Sequence, residues 1–197
     1  MAVRPIYIST NIPENPFIKK DIEFNWIKGM SYKQKCKRRE ELHKAIANTK
    51  LYDMDKVLEI STKSDKELGV KLSALNLMVP IIDGKKMSVE DIYQKAKIYD
   101  DEHHIIEFKY LNTVFENEPY SMFYDYVYML GLHANKDLLT ELNNYDIFTD
   151  IEFNPSKQLN TQARAAAIWN TLYKNNMIKI LKDKEEFKRY YKSIFKK

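Results

Sequence analysis

Between Pro119 and His133 apolar side chains occupy most positions. Phe123, Tyr126, Val127 and Leu130 form one stripe at helical spacing, and Tyr124, Tyr128 and Leu132 form a second. A helix that is apolar around most of its circumference cannot lie on a surface, so this segment is expected to be a buried helix with the other elements packed around it. Aromatic faces can also stack on bases, but core packing accounts better for most of the cluster. A chain of 197 residues is long enough for one well-packed domain, and 44% hydrophobic residues can fill its core. The mean hydropathy is -0.55, and no run approaches the roughly 18 apolar residues of a membrane span. The opening MAVRPIYIST lacks the pattern of a secretory signal, so a cytoplasmic location is expected.

Several chemistries are excluded by what the chain lacks. With Cys36 as the single cysteine there is no internal disulfide and no cysteine zinc cage. His43, His103, His104 and His133 form no metal-binding spacing. There is no GxGxxG or GxxxxGK[ST], so no metal and no cofactor is expected, and phosphate contacts would come from helix ends and basic side chains. A net charge of +4 permits approach to a phosphate backbone without requiring it.

Arg4 to Ser9 and Ile22 to Ile27 read as short strands on either side of the NIPENP loop. Ser31 caps a predicted helix to about Asn48, with Leu42 and Ile46 inside. Lys33, Lys35, Lys37, Arg38 and Arg39 crowd its first turns, where positive charge opposes the helix dipole. Either an anion neutralises them or they form a solvated basic face, which spacing alone favours. Lys56 to Ser61 and Gly69 to Leu72 look extended, with a turn at Lys63 to Asp65. Lys136 to Leu142 reads as a short helix, and Asp146, Asp150 and Glu152 fall on a loop or strand. From Asn160 or Thr161 a helix should run to about Asn176, burying Ala165, Ile168, Trp169 and Leu172. Asn160 and Arg164 lie one turn apart near its start, where they could cradle a pyrophosphate oxygen. A surface arginine satisfying a neighbouring carbonyl or carboxylate fits that spacing equally well. Asp183 begins a basic final helix. The fold class is therefore α+β: a single helix-dominated domain with a few short strands.

The segment GVKLSALNLMVPIIDGKKMSVEDIYQKAKIYDD, residues 69 to 101, carries the chemistry. Ser88 is a predicted N-cap with Asp91 as its capping-box partner, giving a helix to about Asp101. Val89, Ile92, Ala96 and Tyr99 form its buried face, and Glu90, Gln94, Lys97 and Asp101 the opposite one. In the first turn the free backbone N–H groups and the dipole favour an ionised Glu90. Spacing alone makes this an ordinary amphipathic helix with a solvated outer face.

The wording of these segments resembles the NADAR family, which includes the YbiA-like proteins. The family's aromatic-Ser-Asn segment, Asp-Gly turn and Val-Glu helix with a following aromatic, Gln and later Lys correspond to LSALN (Leu72 to Asn76), Asp83-Gly84 and VEDIYQKAK (Val89 to Lys97). YDIFTDIEF (Tyr145 to Phe153) and LNTQAR (Leu159 to Arg164) stand where the family carries an acidic aromatic loop and the opening of its last conserved helix. The chain departs at Leu75, where an aromatic is usual, and at Phe148-Thr149, which replace a Trp-Gly. The resemblance divides the domain into an N-terminal extension (1–55), a family core (57–180) and a basic C-terminal helix (181–197). It implies an N-glycosidase with a helix-dominated fold of the NADAR/YbiA-like type.

The FNWIKGMSYKQK segment, with Trp26, and FTDIEFNP look more like the branch that accompanies DarT-type toxins as an antitoxin. For that branch the resemblance implies removal of ADP-ribose from guanine bases of DNA or RNA, with free ADP-ribose as product and the toxin as functional partner. The alternatives are a YbiA-like enzyme acting on a riboflavin-pathway intermediate and a non-catalytic antitoxin that binds toxin or nucleic acid. Cleavage of such a bond has oxocarbenium character, for which Glu90 is the candidate stabiliser or water-activating base. Asp150 is a candidate for handling the leaving base. Lys63 or Lys97 could instead attack a ring-opened C1″ aldehyde to form an imine. Ser73, Asn76, Tyr93, Gln94, Asp146, Asn160, Arg164 and Trp26 are the expected substrate contacts.

Overall fold

The computed structural model describes residues 1–81, 84–117, 119, 121–152 and 161–195. Its frame is a four-stranded sheet in the order β2-β1-β9-β3, formed by β1 (Ala2–Ser9), β2 (Phe17–Phe24), β3 (Val57–Glu59) and β9 (Ile147–Thr149). β1 runs antiparallel to β2 and β9, and β3 runs parallel to β9. Side chains alternate across this sheet. Tyr7, Leu58 and Phe148 enter the main core, while Ile6, Val57 and Ile147 enter a smaller one. β3 and β9 are buried at every position, as strands covered on both faces must be.

α1 (Tyr32–Asn48) closes the smaller core with Leu42 and Ile46. Ser31 caps it through a full capping box with Gln34. The other face carries α4 (Met122–Ala134) and α6 (Gln162–Lys174), whose small Ala163, Ala165, Ala166 and Ala167 are buried in the main core. α4 is the buried helix expected from its composition: Phe123, Val127, Tyr128 and Leu132 have no exposed surface. α5 (Lys136–Leu142) and α7 (Lys184–Ile194) complete the shell, with α2 (Glu67–Lys71) and α3 (Val89–Ala96) beside the site described below. The remaining strands form a hairpin of β4 (Met78–Pro80) with β5 (Lys86–Ser88), and an antiparallel sheet of β6 (Lys97–Tyr99), β7 (Ile105–Tyr110) and β8 (Thr113–Glu116). The whole is an α+β domain. Among the described residues no helix is long and apolar enough to cross a membrane.

Three local expectations are corrected. The stretch Gly69 to Leu72, read as extended, belongs to the short helix α2, where Glu67 and Lys71 pair one turn apart at 2.7 Å. A Cβ on Gly69 would lie 2.0 Å from the Glu59 carbonyl oxygen, so this glycine allows a close approach to β3 and does not break the helix. The Ser88-capped helix ends at Ala96, short of Asp101. From Lys97 the backbone turns extended and pairs with β7, which satisfies the same backbone groups in a ladder. Tyr99 is therefore about half exposed at 51% and is not part of the buried face.

The N-terminal turn of α6 is fastened from within. Arg164 donates from Nε and Nη2 to the two Asp125 carboxylate oxygens, each at 3.0 Å, and Tyr191 Oη donates to Asp125 Oδ2 at 2.6 Å. One carboxylate thus ties α4, α6 and α7 together. Removing it takes the carboxylate away from a buried guanidinium, which costs far more than a lost surface bridge. Asp125→Ala is expected to lower the unfolding free energy by about 3–5 kcal/mol, and Tyr191→Phe by about 1 kcal/mol, both measured by urea denaturation.

Candidate active site at the ends of two parallel strands

Because β3 and β9 are parallel with Glu59 opposite Thr149, both strands deliver their carboxyl ends to the same edge of the sheet. In open α/β sheets such edges are where ligands bind. Glu59 is buried in an otherwise apolar strand, where its Oε2 accepts from Thr149 Oγ1 at 2.5 Å and its Oε1 from the Ile151 N–H at 2.8 Å. His43 Nε2 lies 3.2 Å from Thr149 Oγ1. Since the Thr149 proton goes to Glu59, His43 is assigned as the Nε2–H tautomer. Burial lowers the His43 pKa, against the opposing field of Glu59, so the ring is neutral.

Asp150 follows directly and is buried. Its Oδ2 accepts from Thr161 Oγ1 at 3.0 Å and its Oδ1 from the Glu152 N–H at 3.0 Å. Burial, with Glu59 adding like charge, raises its pKa to about 7 despite these donors.

Gln162 opens α6 and binds the neighbouring loops. Its Nε2 donates to the Ile60 carbonyl at 2.9 Å, and its Oε1 accepts from the Ala74 N–H at 2.5 Å. The Ala74 carbonyl in turn accepts from the Glu90 N–H at 3.0 Å. A continuous chain of bonds therefore runs from the strand ends to the start of α3. Ser88 caps that helix through the Asp91 N–H at 3.1 Å.

Half-buried Glu90 accepts from Gln94 Nε2 at 2.6 Å, and Gln94 Oε1 accepts from Lys97 Nζ at 2.6 Å. Lys97 also lies 4.8 Å from the centre of the Tyr93 ring. Partial burial lowers the Lys97 pKa, opposed by Glu90. Buried Tyr124 feels the charges of both groups of residues. Burial chiefly, then the fields of Asp150, Tyr128, Glu90 and Asp125, raise its pKa well above the usual phenol, leaving it protonated.

The remaining expected residues separate. Lys63 Nζ pairs with Glu152 Oε1 at 2.5 Å, both largely buried, and Glu152 also accepts from the Thr62 N–H at 2.8 Å. Burial pushes the Glu152 carboxyl up, but Lys63 and Thr62 outweigh it and hold it below the usual range. Ser73 is buried beside Ala74, its hydroxyl without a hydrogen-bond partner among the described residues. Asn76 is exposed, and its amide donates to the Val70 carbonyl at 2.9 Å. Asp146 precedes β9, about 13 Å along an extended strand from Asp150, and pairs with Lys174 at 2.5 Å. Arg164 is turned to Asp125 in the core. Trp26 lies on the α1 side of the sheet, and Asn160 and Asp83 fall outside the described residues.

Glu59, Gln162 and Tyr124 were not among the expected site residues. A carboxylate inside the apolar run VLEI was the signal for Glu59, whereas Gln162 carries no such mark. Among the described residues no group of three or more His, Cys, Asp or Glu side chains is arranged to hold a metal.

The raised Asp150 pKa fixes a pH dependence. Between the unfolded value of 3.8 and about 7 the folded chain holds the extra proton, so the stability due to this group is full below the unfolded pKa and is lost as pH rises to about 7. Asp150→Asn removes that loss. Its unfolding free energy relative to wild type is expected to climb between pH 4 and pH 7, by a change on the order of 4 kcal/mol, then level off, as read by urea denaturation across pH.

A comparison with curated proteins finds no significant match. A comparison with protein families finds the model of the DarT1-associated NADAR antitoxins, which matches residues 2–104 and 100–197. Matched along nearly its whole length, the chain belongs to the DarT1-associated NADAR antitoxin family.

Proposed function

We propose that the protein is an N-glycosidase that removes ADP-ribose from ADP-ribosylated guanine in DNA or RNA and so counters a DarT1 toxin. Family membership supports the antitoxin role. The observation that carries the chemistry is Asp150, a buried carboxyl still half protonated near pH 7, as an acid that hands a proton to a leaving base needs to be. Glu90, in the first turn of a capped helix, supplies the complementary anion. As the bond from C1″ to the guanine nitrogen lengthens, positive charge grows on the ribose, and Glu90 stabilises it. Asp150 gives its proton to the departing nitrogen. Water bonds to C1″, and its proton passes to Glu90.

A second route has an observation of its own: Lys97, with its lowered pKa and its place beside Gln94, is the better nucleophile for an imine at a ring-opened C1″. Lys63 is engaged by Glu152 as a fixed cation.

The test is release of free ADP-ribose from an ADP-ribosylated guanine oligonucleotide. Wild type should release it, and Glu90→Gln and Asp150→Asn should each slow release by about 10²–10⁴-fold. Turnover should fall as pH rises through about 7, because Asp150 must be protonated to act. Borohydride should trap no adduct on the carboxylate route, whereas an adduct on Lys97 would replace that route with the imine. A folded protein that releases nothing from any oligonucleotide would overturn the proposal in favour of a small-metabolite enzyme or a binding antitoxin.

A further inference from the structure

On the α1 side of the sheet lies a cleft of about 580 Å³, lined by Arg4, Trp26, Lys35, Arg38, Ile151 and Glu152 among others. Its basic groups are unusual in their setting. Arg4 and Arg38 are only 5% and 7% exposed, yet neither guanidinium has a carboxylate ion-pair partner within 4.0 Å among the described residues. Arg38 donates to the Gly29 carbonyl, but its buried Nε has no partner. The two arginines converge on one indole, with Arg38 4.5 Å and Arg4 5.8 Å from the centre of the Trp26 ring. The carboxylate that lines the cleft, Glu152, is already neutralised by Lys63. Asp150 and Glu59 reach Arg4 only through their fields, which fall short of the cost of its burial, and Arg38 repels it.

Two buried cations that lower each other's stability are retained at a folding cost unless something compensates them. An anion would do so, and the planar fork of arginine suits phosphate oxygens. The aromatic wall adds a face for a base.

We infer that this cleft is a nucleotide-binding site, in which Arg38 and Arg4 hold phosphate, Lys35 adds charge at the rim, and Trp26 takes a base against its ring. Ile151 and Glu152, which follow Asp150 in the chain, line the cleft. Which nucleotide it is rests on the glycosidase reading; that the cleft binds one does not. The same chemistry is offered by the ADP half of ADP-ribose and by a nucleotide of the strand.

The experiment separates these sources. Of the two tryptophans, Trp169 is fully buried, so quenching of indole fluorescence reports on Trp26. The full chain is titrated with ADP, with an unmodified guanine oligonucleotide and with ribose. ADP should quench and ribose should not. Arg38→Gln should weaken ADP binding by about tenfold or more, and Lys35→Glu should weaken it less. If only the oligonucleotide quenches, with the same losses in the variants, the site holds and the strand is its source.

Binding of either probe that is unchanged in folded Arg38→Gln, or no quenching by either, overturns the inference. Should Arg38→Gln fail to fold, Lys35→Glu at the rim decides, with unchanged binding of the probes overturning the site. The two proposals fail separately. Probe binding unchanged in Arg38→Gln, with normal ADP-ribose release by wild type, would remove this site and leave the glycosidase, and cleft-dependent ADP binding without any turnover would do the reverse.

Discussion

Two carboxylates in one dry corner cannot both be charged without a large penalty, and the register of β3 on β9 creates such a corner. Glu59 ends one strand, Asp150 follows the other, and both are buried. The donors are shared unequally. Glu59 takes a hydroxyl and a backbone N–H at 2.5 and 2.8 Å, whereas Thr161 and the Glu152 N–H stand at 3.0 Å from Asp150, with Gln162 as a further donor. Burial first, and then the like charge of Glu59, raises the Asp150 carboxyl to about 7. Parallel pairing of two short strands thus brings Glu59 beside a carboxyl that burial has already raised.

The rest of the scaffold holds that corner against α3. Gln162 bonds β3 at Ile60 and the Ala74 turn, and Ala74 bonds the first turn of α3. Behind it, the Asp125 clamp on Arg164 and Tyr191 locks α6 to α4 and α7, so the helix that carries Gln162 cannot drift. The arginine expected to meet phosphate is a structural strut in this arrangement. Among the described residues, the buried arginines without a carboxylate partner stand instead on β1 and α1, as Arg4 and Arg38.

How much of this was legible depended on whether the determining interactions were local. The caps at Ser31, Ser88, Thr161 and Asp183 are local, and each begins a helix where the sequence places it. α4 was legible because a helix that is apolar nearly all round has nowhere else to go. Lys97 to Tyr99 differs from its helical pattern because that pattern loses to a partner strand, Ile105–Tyr110, beyond the turn, which no periodicity within the helix reveals. Leu111-Asn112, the two-residue connection between β7 and β8 with Leu111 at φ 54°, carries none of the glycine signals of a tight hairpin, so the sequence does not mark this turn. In the candidate site, the row of Glu90, Gln94 and Lys97 follows from helical spacing. Glu59 and Gln162 do not, since their partners lie about 90 and 100 residues away.

Arg38 shows the same limit. In the sequence it is one of five basic residues in the first turns of α1, and a solvated face was the simpler reading. Packing against Trp26 removes it from water while its Nη2 bonds the Gly29 carbonyl and its Nε is left without a partner among the described residues. The resulting layout is polar in a useful sense: cations gather on the α1 face, acid and anion lie at the strand ends and on α3, and Asp150 sits between them. ADP-ribose on a base has the matching asymmetry, with diphosphate at one end and a ribose carbon that turns positive at the other. A site that held only one of these charges could bind the molecule. On the proposed reading, holding both would also fix its direction, with the bond to the base, and not the pyrophosphate, toward the carboxylates.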